Sequence, residues 1–479
     1  ADAHIPNGPY KPSGLENYAY DPDKARRLLK EANWDSSIEL DMVFYYGDQL
    51  TIDLMTAIQA YLADVGVKMS FRKLEGDVGA QLWTAPKDAV NGPAEVKWDL
   101  AYGAHGPLAL QEYYVRYKSG DNSYTPGDTK LDRMISAITT TPDVNKQKAG
   151  FFNIVKYMQD QLYTYPLYYQ QAFIYESKNV NRNGGMYGNP QYNYDWGITN
   201  WTTPPDANGK MIMRTNTGPI EFFEHPWFNP ALFIANKVVF DRLITCDGGL
   251  APTRPKMAKH YSLSADGKTL TFIMKDNLKW HDGVSITADE VKWNIELALK
   301  VPTLMPIMKN TFKSIEGAES YIAGSASSVS GIKVNGNKLT LQFSKVDPNV
   351  LLTFSQFAPL PRKHVKDVDP TKFQQHPFWQ NPIGSGPYRV KEVQMNDYVV
   401  FTPFDDYHEG RARIDEIIAS PSNDNDANLV KNATAGRMDY GFTKNVADVK
   451  SLEAMNHMTV LPQNIPYTRM IWFQKFPKK

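Results

Sequence analysis

Three things are scarce in this 479-residue chain: cysteine, long apolar runs and excess charge of either sign. The single cysteine, Cys246, excludes a disulfide within the chain. It sits beside Leu243 and Ile244, the setting of a buried inert thiol rather than of a nucleophile. No stretch approaches the ~18 consecutive apolar residues that a membrane-spanning helix needs. Lys plus Arg number 52 and Asp plus Glu 52, so the formal net charge is zero and neither nucleic acid nor an anionic membrane is favoured as a partner. Zinc-protease (HExxH), nucleophile-elbow (GxSxG) and phosphate-loop patterns are also missing.

Other candidates for chemistry weaken on inspection. A metal site needs three or four converging ligands, and the histidines are scattered. No catalytic residue, metal or cofactor is assigned. His281-Asp282 is the tempting acid–base pair, but it stands at a junction between a strand hairpin and a helix. There both side chains serve to satisfy loop backbone. SNDNDAN, with Asp424 and Asp426, lacks the Gly and the bidentate Glu of a calcium loop, so it reads as a solvated loop or helix start. IGSGPY is Gly-rich, yet an alternating strand follows it rather than a helix, which argues against phosphate cradling.

What is present is length, alternation and rings. The chain is too long for one hydrophobic core, and two or three lobes are expected. Aromatics make up 12% of residues, with 27 Tyr and 10 Trp, which fits either a Tyr-rich core or a cleft lined by stacking rings. Asp21-Pro22 starts a helix that ends near Asn33, with Ala25, Leu28 and Leu29 as its stripe. A strand over Ile38–Tyr46, a helix over Thr51–Val65 with Met55, Ile58 and Leu62 on one face, and a strand over Val67–Phe71 make a β-α-β unit. Lys97–Gly103 reads as a buried strand, Leu131–Thr139 and Lys146–Leu162 as helices, and Pro166–Phe173 as a Tyr-rich strand. Thr202–Lys210 concentrates Pro, Asp, Asn and Gly and reads as a linker. Met211–Thr215 is a strand, and Ala231–Leu243 an apolar helix. Further on, Ser264 to Gly267 turns a hairpin into the strand Leu270–Met274. Thr287 then caps a helix, with Glu290 reaching back to close a capping box.

Around that last stretch the residues become specific. HYSLSADGKTLTFIMKDNLKWHDGVSITADEVKWNI (His260–Ile295) closely resembles the signature of the family 5 solute-binding proteins of ABC importers, with Trp280 where the family usually has Phe. PIGSGPYRVKEV (Pro382–Val393), FTPFDDYHEGRARIDEI and ATAGRMDYG (Ala433–Gly441) resemble further family segments. YDPDKARRLLKEANW and YPLYY resemble segments from the family's carboxy-terminal half, yet here they come first. The family order is therefore rotated. Residues 1–204 correspond to its last part, mostly the second lobe and ending in the first, and 205–210 is the linker. Residues 211–479 correspond to its first part: the first lobe, a small subdomain and the entry to the second lobe. A circular permutation through TTPPDANGK accounts for that order, since the termini of compact domains lie at the surface.

The resemblance implies an α/β, periplasmic-binding-protein-like fold of cluster C type, with two lobes, a cleft between them and a smaller subdomain. It implies a non-enzymatic, extracytoplasmic protein, periplasmic or extracellular and compatible with a lipid anchor in the precursor. Such a monomer captures a small organic ligand and passes it to a membrane ABC permease. A peptide is the expected ligand, an oligosaccharide the alternative, and a hydrolase the remote rival. The matching cleft loops supply Tyr46, His105, Gly106, Glu112, Tyr113, Trp196, Phe222, Phe223, Glu224 and Trp227 as candidate ligand-binding residues. Peptide-binding members carry an Asp that pairs with the ligand ammonium. Here Leu108 stands near that position, His105 stands near the family's Trp, and Glu112 is the substitute within reach.

Overall fold

Helix α1 (Pro22–Glu31) begins where a carboxylate precedes a proline: Asp21 accepts the Lys24 N–H at 2.8 Å. None of its residues is buried, and Leu28 keeps 50% of its surface, so the expected stripe is open to solvent. The computed structural model describes all residues except 6–10, 17, 77, 107–109, 115–116, 121–122, 140–143, 186–195, 218–222, 229–233, 247–251, 395–396, 422–426 and 479. The expectations for Leu108, Phe222 and the acidic residues of SNDNDAN fall outside the described residues. The chain forms two units: Ala1–Gln170 with Pro466–Lys479, and Gln171–Ile465.

Unit 1 is built on parallel strands. β1 (Glu39–Phe44) and β2 (Lys68–Lys73) pair in parallel, joined by α2 (Gln49–Asp64). α2 starts two residues before its predicted onset, because Asp48 caps it by accepting the Thr51 N–H at 2.9 Å. A short helix α3 (Val78–Trp83) leads to β3 (Leu100–His105), which pairs in parallel with β1. Helices α4 (Thr129–Thr139) and α5 (Val144–Asp160) precede β4 (Thr164–Ser177). Period-2 alternation sorts the side chains into two cores. Met42, Phe44, Met55 and Tyr102 share one, while Val43, Ala101, Ile135 and Val155 share the other.

Unit 2 takes the second half of β4 and continues with β5 (Ile212–Thr217) and α6 (Ile234–Val238). The predicted helix to Leu243 ends at Val238, and the Arg242 guanidinium folds back to donate to the Asn236 carbonyl inside it at 2.8 Å and to the Phe240 carbonyl beyond it at 2.7 Å. β6 (Ile244–Cys246) and β7 (Pro252–Pro255) form a small antiparallel pair. β8 (Ala258–Leu263), β9 (Thr269–Met274), β10 (Ile332–Asn335) and β11 (Lys338–Gln342) form an antiparallel sheet in the order β10-β11-β9-β8, with α7 (Ala288–Ala298) following β9 in sequence. The β8–β9 turn uses Gly267 at φ +70° and the β10–β11 turn Gly336 at φ +59°, both left-handed positions that favour glycine. A second sheet contains β12 (Tyr388–Gln394), β13 (Tyr398–Pro403), β14 (Glu416–Pro421), β5 and β15 (Tyr440–Thr443). Here β5 pairs in parallel with both β14 and β15.

The last strand, β16 (Met458–Phe473), carries the chain back into unit 1 and pairs there antiparallel with β3, Arg469 opposite Ala104. The chain thus passes between units inside β4 and β16. The TTPPDANGK stretch is instead a tight turn within unit 2. Asp206 accepts the N–H groups of Asn208 and Lys210 at 2.8 and 2.9 Å, and Pro205 bridges to Met211.

Candidate functional site

The signature stretch is a structural joint. Trp280 is buried, and its indole N–H donates to the Glu290 carboxylate at 2.9 Å. Glu290 in turn takes the Thr287 hydroxyl oxygen with its own N–H at 3.3 Å, so cap and tryptophan are tied together. His281 accepts the Gly384 N–H at Nδ1, 3.2 Å, and Nε2 lies 3.0 Å from the Gly386 carbonyl. That pattern fixes the neutral tautomer with the proton on Nε2. Burial holds the ring's pKa down at about 4. Asp282 is engaged by His364 at 2.8 Å and Lys363 at 3.3 Å. Both side chains are thus spent on the joint. The glycines of IGSGPY have a packing cause. A Cβ on Gly384 would fall 1.9 Å from the Val239 carbonyl oxygen, and one on Gly386 would fall 2.3 Å from that of Val238.

In unit 2 the predicted ligand rings are core rings. Trp227 is fully buried between Phe373, stacked at 4.9 Å and 7°, and Phe357 at 5.4 Å. Its indole N–H donates to the Ala358 carbonyl at 2.8 Å. Phe223 is buried and its N–H donates to the Trp379 carbonyl at 2.8 Å. The Gln374 side chain clamps the segment, donating to Phe223 O at 2.9 Å and accepting the His225 N–H at 2.8 Å. Glu224, between them, is half-buried. Trp196 is buried against Trp201 at 5.0 Å and Tyr440 at 5.5 Å. It lines a recess of about 350 Å³ together with Lys237, Asp241, Lys256 and Tyr407. Asp241 is bonded by His408 at 2.7 Å and Tyr407 at 3.0 Å. Burial pushes Lys237 down to about 7.

Unit 1 gathers a different set where its parallel strands end. Tyr45 and Tyr46 follow β1, their hydroxyls 2.8 Å apart. His105 ends β3, buried, its ring edge-on to Tyr113 at 5.0 Å. Tyr113 is itself buried, and Glu112 beside it is half-buried in a 3-10 turn. Gly106 is required by its neighbour, because a Cβ there would lie 2.4 Å from the Tyr467 ring. The antiparallel register puts Tyr102, Ala104, Tyr467 and Arg469 on one face. Arg469 was not anticipated from sequence. Its guanidinium lies 3.9 Å from the Tyr46 ring centroid, 5.5 Å from that of Tyr467 and 5.9 Å from that of Tyr102. Nε donates to the Gln170 side-chain oxygen at 2.7 Å. Burial keeps Tyr45 and Tyr46 protonated, their pKa values above the ordinary phenol range. The available signal was a charged residue in an otherwise apolar, alternating strand.

The sequence pattern of the bacterial extracellular solute-binding proteins, family 5 (Middle), matches residues 1–133 and 253–475. The chain belongs to this family. Among curated relatives, a putative ABC transporter peptide-binding protein of Brucella ovis is 25% identical over 221 residues, 45% of this chain and 38% of that protein. The dipeptide-binding protein of Escherichia coli is 24% identical over 261 residues, 50% of this chain and 47% of that protein. The chain thus spans less than half the length of either relative. A solved structure, a periplasmic oligopeptide-binding protein from Borrelia burgdorferi, aligns at a TM-score of 0.42 and 25% identity, covering 52% of this chain and 50% of that one. Among the described residues no cluster of His, Cys, Asp or Glu is placed to hold a metal ion, and no helix is long and apolar enough to cross a membrane.

Proposed function

We propose that this family 5 protein captures a small organic ligand of peptide type outside the cytoplasm and, as a monomer, passes it to a membrane ABC permease without transforming it chemically. One observation carries the reading: the family pattern runs through both units, over 1–133 in unit 1 and over 253–465 in unit 2. In unit 1 the ligand-contacting residues under this reading are the candidates with part of their surface open: Tyr46, Gly106 and Glu112. His105 and Tyr113 are buried behind them and pack ring against ring. Trp227, Phe223 and Trp196 hold the unit 2 core, which makes them supports rather than stacking surfaces.

A thermal-shift screen tests this, because a ligand that binds only the folded chain raises the melting temperature by mass action. Di- to pentapeptides, oligosaccharides and nickel salts are compared at equal concentration. Stabilisation by peptides is the expected result. Stabilisation by oligosaccharides or nickel with none by peptides would overturn the peptide assignment.

A further inference from the structure

We propose that Arg469 makes the tyrosine cluster of unit 1 an anion subsite, which takes one carboxylate of the ligand. The inference rests on the peptide-type reading above and sharpens it by naming the ligand group held and the residue that holds it.

The argument starts from an unbalanced charge. A guanidinium is ionised at every accessible pH and presents five N–H donors. Among the described residues Arg469 makes no ion pair. Its Nε is spent on Gln170 at 2.7 Å, while Nη1 is shielded from solvent and has no hydrogen-bond partner. Around it stand the rings of Tyr46, Tyr102 and Tyr467. None of these rings is a counter-charge, and burial raises the pKa of Tyr46 and of Tyr102, which keeps both neutral. Stacking on a ring face offsets only part of the cost of desolvating a cation, and the part of this charge that is taken from water has no counter-charge to offset it.

The position of that cost is the second observation. Arg469 pairs across from Ala104 near the carboxyl end of β3, beside the Tyr45–Tyr46 segment that leaves the carboxyl end of β1. Ligands of open α/β sheets bind at the carboxyl ends of the strands. Tyr45, Tyr46, Tyr467 and Arg469 itself all keep part of their surface open. The chemistry of the missing partner follows. One cation is neutralised by one anion, and a planar carboxylate matches the donor edge of a guanidinium with two parallel hydrogen bonds. The phenol hydroxyls of Tyr45 and Tyr46, 2.8 Å apart, add donors for the same group.

The test is calorimetry on the whole chain with trialanine, trialanine amide and glutarate as probes. Wild type is expected to bind trialanine at least about tenfold more tightly than the amide, the difference made by a charge-assisted bidentate pair. Arg469→Gln should bind acid and amide alike, and Arg469→Lys, which keeps the charge but loses the fork, should recover part of the preference. Near-UV circular dichroism checks that both variants are folded, and the wild-type acid-to-amide ratio stands as a test without them. Equal binding of acid and amide by wild type would overturn the subsite while leaving peptide binding intact. Glutarate binding that Arg469→Gln abolishes, with no peptide bound, would keep the subsite and overturn the peptide reading. No binding of trialanine or glutarate would overturn the subsite.

Discussion

Two aromatic clusters dominate this protein, and they are built on opposite terms. Around Trp227 in unit 2, rings pack face to face and edge to face on Phe357, Phe373 and Trp379, and the indole N–H is bonded to a backbone carbonyl. Around Arg469 in unit 1, the rings are phenols, of which Tyr46 and Tyr467 keep part of their surface open, and they surround a cation whose Nη1 has no hydrogen-bond partner among the described residues. Aromatic content alone predicts a stacking surface in both places. What separates them is polar satisfaction. A cluster of apolar rings whose indole N–H is already bonded offers a ligand no charge, whereas an unmet guanidinium donor held at the end of parallel strands does. The contrast turns the question of which rings line a ligand site into one of hydrogen-bond accounting.

The largest expected effect breaks the comparison at its dry end. Trp227→Ala removes a fully buried ring and leaves the Ala358 carbonyl without its donor, at a cost of about 3–5 kcal/mol. Equilibrium unfolding in urea, followed by near-UV circular dichroism, should show the loss with or without peptide present. A variant that keeps wild-type stability but loses peptide affinity would return Trp227 to the ligand site.

The next effect is a pH dependence weighted towards unit 2. His225 and His281 there, and His4 in unit 1, are buried, and burial lowers their pKa values from 6.5 to about 3, 4 and 4. Between pH 6.5 and 4 the unfolded chain binds protons at these rings that the folded chain refuses, so stability falls as pH falls through that window. For His281 alone the loss is about 3 kcal/mol by pH 4. Replacing it by Gln should lower stability at pH 7 and flatten the slope of stability against pH by up to one proton. An unchanged slope would mean that the ring is charged in the folded protein and that its bonds to Gly384 and Gly386 are misassigned.

These residues also show where a sequence can be read and where it cannot. Local chemistry was readable. Asp21 before Pro22, Thr287 three residues before Glu290, and Gly267 in its hairpin turn act through neighbours a few residues away, and the structure uses them as expected. The apolar pattern over Ala231–Leu243 runs past the helix, which ends at Val238, and it does not reveal that the Arg242 side chain turns back to the carbonyls of Asn236 and Phe240. The site was harder still. The family resemblance puts Phe223 and Trp227 on a loop facing the ligand, and a resemblance carried by neighbours in sequence does not show what packs on them. Their partners in space, Trp379, Phe373 and Phe357, come from more than 120 residues away. Arg469 was invisible for the same reason, since its bond to Gln170 spans 299 residues of chain. Charge in an alternating apolar strand is a local sign that something compensates it, but it does not say what.

The smallest effect sharpens the comparison at its wet end. Tyr46→Phe deletes one hydroxyl and keeps the ring over Arg469. The lost bond to Tyr45 is between half-buried groups, so water can take the vacated place, and stability should fall by only about 0.5–1.5 kcal/mol. The counterpart in unit 2 is Trp227→Phe, which also keeps a ring but strands the Ala358 carbonyl where water does not reach, at a cost of about 1–3 kcal/mol for the unmet group and more for the lost ring area. The ordering of the two variants, rather than either value, is the measurement. If Tyr46→Phe is as damaging as Trp227→Phe, the tyrosine cluster is as closed as the tryptophan cluster, and the case for a ligand group at Arg469 loses its footing. If Tyr46→Phe is nearly silent in stability yet weakens trialanine binding several-fold, the hydroxyl is a donor to the ligand, and the two clusters differ in the way their hydrogen bonds indicate.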